Sequence, residues 1–381
     1  MNILRVVYEW PPPWSGLTPG PFELTQAQSA QGHNLRVVCG GWPRHPVTAV
    51  PRVRVRRLPS SLPRLSLFPT TAPAALVWLM RWHNWADIIH GHGHLPVWYH
   101  LWRRAVRDRK PYVLHLHVTA AGRQVSTRKL DSQLDFWTAR FEWPLHELSD
   151  RVGCQVADAV ICTSQSVRDE AARHYGAQPE KLHVVPNGVN TELFVPEGNN
   201  ARQRFGLSLD DKVMLFVGGL HSRKRPHLLL ETLAATPPEW KLLLVGQGPL
   251  EAKLRLQAQQ LGLTKRVFFA GYVPYLELPP LYRAADVFTL LSEYEGYPKV
   301  ILEALSCGVP VVTTPSFQAD ETIEPHLTTL QEDAPGKVAA VVQRAAGGPP
   351  VDVARVRAAC DWRVRTEVIW QIYQQVGQRQ A

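Results

Sequence analysis

Two stretches of this chain, separated near residue 190, each alternate short β-branched apolar runs with helix-like segments, and glycine or proline marks the joins. The first offers strands at residues 2 to 8, Leu35 to Val38, Val53 to Leu58, Ile88 to His90, Tyr112 to Leu116, Ala159 to Cys162 and Leu182 to Val185. The second offers Val213 to Val217, Leu242 to Val245, Val267 to Ala270, Val287 to Leu291 and Val309 to Thr313, with helices from about Pro226 and Leu250, near Leu276 to Arg283 and at Pro298 to Ser306. Such alternation predicts α/β architecture, with parallel sheets covered by helices on both faces. Pro186-Asn187-Gly188 and the Pro, Gly and Asn of residues 196 to 200 read as a linker. The expected division is therefore 1–186, 187–360 and a closing helix over 361–381. Two Rossmann-like units in series imply similar lobes facing an interdomain cleft.

With 45% hydrophobic and 20% charged residues, the chain can fill two cores and is not disordered. Its most apolar run, Thr71 to Met80, is far short of the roughly 18 residues that span a bilayer, and the start of the sequence reads as a strand rather than an export signal. A cytoplasmic location is expected. Five widely spaced cysteines, without a CxxC pair, predict buried reduced thiols and no structural zinc. The net charge of +9 lies wholly in residues 1–190, which also hold ten of the thirteen tryptophans. Basic residues beside Trp suit an anionic surface, so attachment to the inner face of a cell membrane is one reading; a solvated basic face over a Trp-rich core is the other. No nucleic-acid module accompanies the charge.

The densest chemical signal is Ser292-Glu293-Tyr294-Glu295-Gly296-Tyr297-Pro298-Lys299, followed by Glu303. It leaves a buried strand and enters a helix with proline near the first turn, where free backbone N–H groups and the helix dipole favour an anion. Glu295 precedes the helix and Glu303 lies about 7 to 8 Å along it, so carboxylates can serve both sides of a diphosphate. This segment resembles the E-x7-E signature of retaining glycosyltransferases of the GT-B fold, especially glycosyltransferase family 4. Other segments match in order: Pro11-Pro12 and Gly16 after the first strand, Gln31-Gly32-His33, Asp87-Ile88-Ile89-His90-Gly91-His92, Tyr112 to His117, Val185-Pro186-Asn187-Gly188-Val189-Asn190 with Phe194, Val217-Gly218-Gly219-Leu220 with Lys224, and Val245-Gly246-Gln247-Gly248-Pro249.

The resemblance implies transfer of a hexosyl group from a nucleotide-diphosphate sugar to a glycan, lipid-linked or small-molecule acceptor, with retention of configuration. It implies catalytic roles for His117, Lys224 and Glu295. Donor contacts would come from Gly16, Gly218, Arg223, Lys224, Gly246, Val273, Glu295, Gly296, Tyr297, Pro298, Lys299 and Glu303. Lys224 would neutralise the departing diphosphate, Glu303 would hold the ribose, and His117 would meet the transferred sugar. No D-x-D motif offers a metal site, so the expected mechanism needs no metal and no cofactor beyond the donor. Two departures stand out: Gly219 replaces a basic residue, and Thr314 to Glu321 replaces a Gly-Gly phosphate loop. They motivate an alternative, a weakly active or inactive relative that binds a sugar or partner. A dinucleotide-dependent oxidoreductase fits less well, since Glu251 stands where the third fingerprint glycine belongs.

Overall fold

The structure, a computed structural model, describes residues 1–12, 14, 18–40, 46–58, 76–93, 97–124 and 143–378. The described residues divide into two compact units: one runs to Asn187 and includes the terminal helix Trp362–Gln378, and the other is Gly188–Asp361. Among them, no helix is long and apolar enough to cross a membrane.

In the first unit, β1 (Asn2–Glu9), β2 (Asn34–Gly40), β3 (Val53–Leu58), β4 (Ile88–His92), β5 (Tyr112–Leu116), β6 (Ala159–Cys162) and β7 (Leu182–Val184) form a sheet ordered β3-β2-β1-β4-β5-β6-β7. Every pairing is parallel. Successive residues of a strand feed opposite faces: Ile3, Ile88, Val113 and Ile161 enter one core, and their neighbours Leu4, Ile89, Leu114 and Cys162 the other. Burial on both faces explains why β6 reads as an unbroken apolar run, whereas β3, with alternating Val and Arg, is buried only at its last two residues.

The terminal helix places Trp362, Ile369, Ile372, Tyr373 and Val376, at helical spacing, in the core that holds Ile3. Trp362 Nε1 donates to Glu23 Oε2 at 2.7 Å. Spacing alone shows the apolar stripe but not the lobe that receives it, because any complementary core could cover it.

The second unit carries β8 (Lys212–Val217), β9 (Trp240–Val245), β10 (Val267–Gly271), β11 (Val287–Leu290), β12 (Val311–Thr313) and β13 (Leu327–Thr329), ordered β10-β9-β8-β11-β12-β13 and also parallel. Two details differ from the sequence reading. The helix expected near Leu276 to Arg283 is a 3-10 turn, Tyr275–Glu277, and a short helix, Pro279–Tyr282, because adjacent prolines supply no N–H to carry one helix through. Strand β13 carries no readable pattern; three residues are too few for a period. All five cysteines are buried free thiols, and burial pushes Cys39, Cys162 and Cys307 up to about 12.

Candidate functional site

Each sheet reverses its strand order once, between β1 and β4 in the first unit and between β8 and β11 in the second. In a doubly wound sheet, loops leaving the two central strands diverge there and open a crevice at the carboxyl ends. In the second unit, β8 runs out to Gly218 and Lys224, and β11 runs out to Glu293 and Glu295. The topology thereby brings together residues about seventy apart in sequence.

Lys224 Nζ lies 2.5 Å from Glu295 Oε1, and Arg223 NH1 lies 3.4 Å from the same oxygen. Burial pushes the Glu295 carboxyl up, but the two cations outweigh it and hold it below its ordinary value. Arg223 also donates to the Tyr294 carbonyl. The neighbouring Arg225 takes a left-handed conformation at φ 48° and is engaged by Glu293 at 3.0 Å, Asp333 at 2.9 Å and the Leu291 carbonyl at 2.7 Å. It therefore braces the turn Ser222–Lys224 that aims Lys224. Arg225 is a supporting residue that spacing could not distinguish from Arg223.

The helix of the motif is Lys299–Ser306, with Pro298 as its extended N-cap rather than its first helical residue. Glu295 N donates to the Ser316 carbonyl at 2.9 Å, whereas the N–H groups of Gly296 and Val300 have no acceptor among the described residues. Two donors therefore remain at the positive end of the helix. Tyr297 is buried, and its hydroxyl donates to Asp320 at 2.8 Å. Ser316 and Asp320 thus tie the altered segment after Thr313 to the motif.

Lys299 directs its ammonium to the Gly188 carbonyl at 3.1 Å, with Glu303 at 4.0 Å. Glu303 is buried at 2% exposure and accepts from Tyr282 Oη at 2.7 Å, so it does not stand on an open helix face. Val273 is buried beyond β10, and Gly16 lies outside the described residues.

Gly218, Gly246 and Gly248 serve a close approach. A Cβ at Gly246 would sit 2.0 Å from the Gly218 carbonyl oxygen, and one at Gly248 would sit 2.4 Å from that of Leu220. Hydrogen bonds Gly218 N to Val245 O and Leu220 N to Gln247 O stitch the two loops at 2.9 and 3.0 Å. The pair Gly246-x-Gly248 therefore packs the β9 exit against the β8 exit; the helix opens later, at Glu251. Gly219 has its own reason. A Cβ there would meet the His221 ring at 2.6 Å, so the imidazole occupies the space beside a missing side chain.

In the first unit, His90 and His92 leave β4 and His115 leaves β5 on one face, and His117 follows the end of β5. Their rings form a column, with centroids 4.4 Å apart for His90 and His92, 4.8 Å for His92 and His115, and 4.5 Å for His115 and His117. His92 Nδ1 lies 3.0 Å from His117 Nε2. Burial, reinforced by cationic neighbours, holds His90, His92 and His115 well below the ordinary imidazole value, so they are neutral near pH 7.

Ligand nitrogens of these three lie within 4.8 Å of one another, which raises the question of a metal. The donor set does not fit one ion. Tyr373 Oη lies 2.5 Å and Arg5 NH2 3.4 Å from His90 Nδ1. A guanidinium can only donate, so on this side His90 Nδ1 is already engaged by groups of the protein itself. Near-parallel rings, 5° between His90 and His115 and 26° between His92 and His115, also aim their lone pairs side by side rather than at one point. The column forms the floor beneath His117. The sequence marks its members but not their contact across two strands.

A pair of Rossmann-like units, the second with a cation-carboxylate cluster and unbonded amides at its switch point, is the architecture of the GT-B glycosyltransferases. The chain belongs to glycosyltransferase family 4: the family described as Glycosyltransferase Family 4 matches residues 15–193, and Glycosyl transferases group 1 matches residues 198–345. An uncharacterized glycosyltransferase of Methanocaldococcus jannaschii is 28% identical over 82% of this chain and 80% of its own. A mannosylfructose-phosphate synthase of Agrobacterium fabrum is 35% identical over 44% of this chain, a match that spans only 39% of that relative. In fold, the chain resembles the sucrose-phosphate synthase of Thermosynechococcus elongatus, with a TM-score of 0.80, 24% identity and 99% of each chain covered.

Proposed function

We propose that this glycosyltransferase moves a hexosyl group from a nucleoside-diphosphate sugar held by the second unit to an acceptor held by the first, with retention of configuration. The observation that carries the reading is the Lys224–Glu295 pair at the β8/β11 switch point, with Arg223 beside it and the Gly296 and Val300 amides at the adjoining helix start.

Chemically, such a transfer needs a cation where charge develops on the leaving diphosphate and acceptors where the sugar presents hydroxyls. Lys224, already in place before substrate arrives, supplies the first without reorganising. The Glu295 carboxylate, kept ionised, can accept two hydrogen bonds from adjacent sugar hydroxyls. Glu303 would hold the ribose, with Tyr282 fixing its orientation. His117 would meet the transferred sugar from the first unit, its ring set by His92. Charge stabilisation in this scheme comes from side chains and amides and calls for no metal. Acceptors of sugar-phosphate type fit the names of the relatives, alongside glycan and lipid-linked acceptors.

Screening UDP-, GDP- and ADP-sugars by calorimetry, then assaying nucleotide release with and without candidate acceptors, tests the reading. One donor should bind and turn over. A protein that binds a sugar nucleotide without ever releasing nucleotide would support the binding-protein alternative instead.

A further inference from the structure

At the amino end of the first sheet, opposite the strand ends that carry His117, β2 and β3 begin side by side. Parallel register pairs Leu35 with Val53 and Arg36 with Arg54, so both arginines leave one face on strands about 4.8 Å apart. Arg52, in a left-handed turn at φ 55°, reaches back to the Gly32 carbonyl at 3.0 Å. Trp85, just before β4, holds the Arg36 guanidinium 4.1 Å above its ring, with Trp82 at 5.4 Å. Arg36, Arg52, Arg54, Trp85 and Asn34, with Leu35 and Val53, line an open pocket of about 400 Å³ that has no acidic residue in its wall.

Among the described residues, neither Arg36 nor Arg54 is paired with a carboxylate. Desolvation and the charge of Arg54 both pull Arg36 below the ordinary arginine value, a repulsion that an anion in the pocket would relieve. Three guanidinium groups around one concavity offer planar donor forks, the geometry that suits tetrahedral oxyanions. Stacking on Trp85 fixes one fork in advance and reduces the ordering cost of binding.

We propose that this pocket binds a phosphate group through Arg36, Arg52 and Arg54, carried either by a soluble phosphate ester or by a lipid headgroup. This pocket is not the Lys224–Glu295 cluster, which lies in the second unit. It sits at the start of β2, about 20 Å of strand from that strand's carboxyl end at roughly 3.3 Å per residue, and belongs to the first unit.

The test compares the whole protein with the Arg52→Gln/Arg54→Gln variant and with Arg104→Gln/Arg109→Gln, which removes the same charge from exposed positions elsewhere in the first unit. Probes are glycerol phosphate by calorimetry, and phosphatidylcholine vesicles with or without phosphatidylglycerol by co-sedimentation. The pocket variant should bind at least tenfold more weakly while the control matches wild type, with melting curves confirming that both are folded. Saturable glycerol phosphate binding assigns a soluble ester; binding only to the anionic vesicles assigns a headgroup. A Lys224→Ala arm separates the two sites, since pocket binding should be unchanged there. Equal weakening in pocket and control variants, or no binding to either probe, would overturn the proposal.

Discussion

Removing the Lys224 ammonium tests the chemistry at its centre. Its nitrogen is 2.5 Å from a carboxylate that is only 8% exposed. Opposite charges about 4 Å apart attract by about 4 kcal/mol at an effective dielectric constant of 20, and desolvation offsets much of what this closer pair gains. Arg223, 3.4 Å from the same oxygen, keeps part of that stabilisation, so Lys224→Ala should cost stability on the order of 2 kcal/mol rather than the 3–5 typical of a stranded buried charge.

The barrier should rise as well, because the charge proposed to meet the leaving diphosphate is gone. A loss of tenfold to a thousandfold in kcat, about 1.4–4 kcal/mol, is the expected range. The acid limb supplies a sign test. In the wild type, Glu295 titrates below its unfolded value, so its contribution is present above about pH 4.5 and is lost as pH falls through the folded value. Without Lys224, burial gains weight against the remaining Arg223, and that acid-limb contribution should shrink or reverse. Nucleotide release, thermal unfolding across pH 3 to 7 and a double-mutant cycle with Glu295→Ala measure these effects; coupling of about 1–3 kcal/mol is expected between neighbours in one network. Near-normal turnover in both single variants would refute the role assignment.

Gly246→Ala should destabilise the second unit by about 2–4 kcal/mol in denaturant titrations, since its Cβ would meet the Gly218 carbonyl oxygen at 2.0 Å; Gly176→Ala, with nothing within 4 Å but a positive φ, should cost less. The histidine column makes the first unit acid-sensitive. His90, His92 and His115 titrate below their unfolded value, so the unfolded chain binds more protons below about pH 6.5, and stability should fall by up to about 1.4 kcal/mol per pH unit for each. A His115→Leu variant that remains folded should show a shallower slope between pH 6.5 and 5, measured by urea unfolding. An unchanged slope would mean that His115 is not held neutral by burial.

Much of the fold was legible because its signals are local. Strands buried on both faces favour apolar residues at successive positions, so Val213 to Val217 and Leu242 to Val245 announce themselves without knowledge of their neighbours. The short strand Leu327–Thr329 was not legible in the same way, since three residues are too few for a pattern, whereas the break at Pro279 follows from a local signal, two adjacent prolines, that the helical reading passed over. Within the site, Lys224 and Glu295 were readable as residue types at motif positions. Arg225 was not readable as a brace, because an arginine looks the same whether it meets a ligand or a distant Asp333.

Neighbouring residues alone announce two consecutive α/β units and place a cation, two carboxylates and a histidine where the strands end. Which of those groups touch is settled by the folded molecule. It set Lys224 on Glu295, enclosed Glu303 under Tyr282, stacked four histidines across two strands and gathered three arginines at the far edge of a sheet. Alternation and capping are written in neighbouring residues, whereas contact, burial and the charge each group carries depend on segments that meet only after the chain has crossed the sheet.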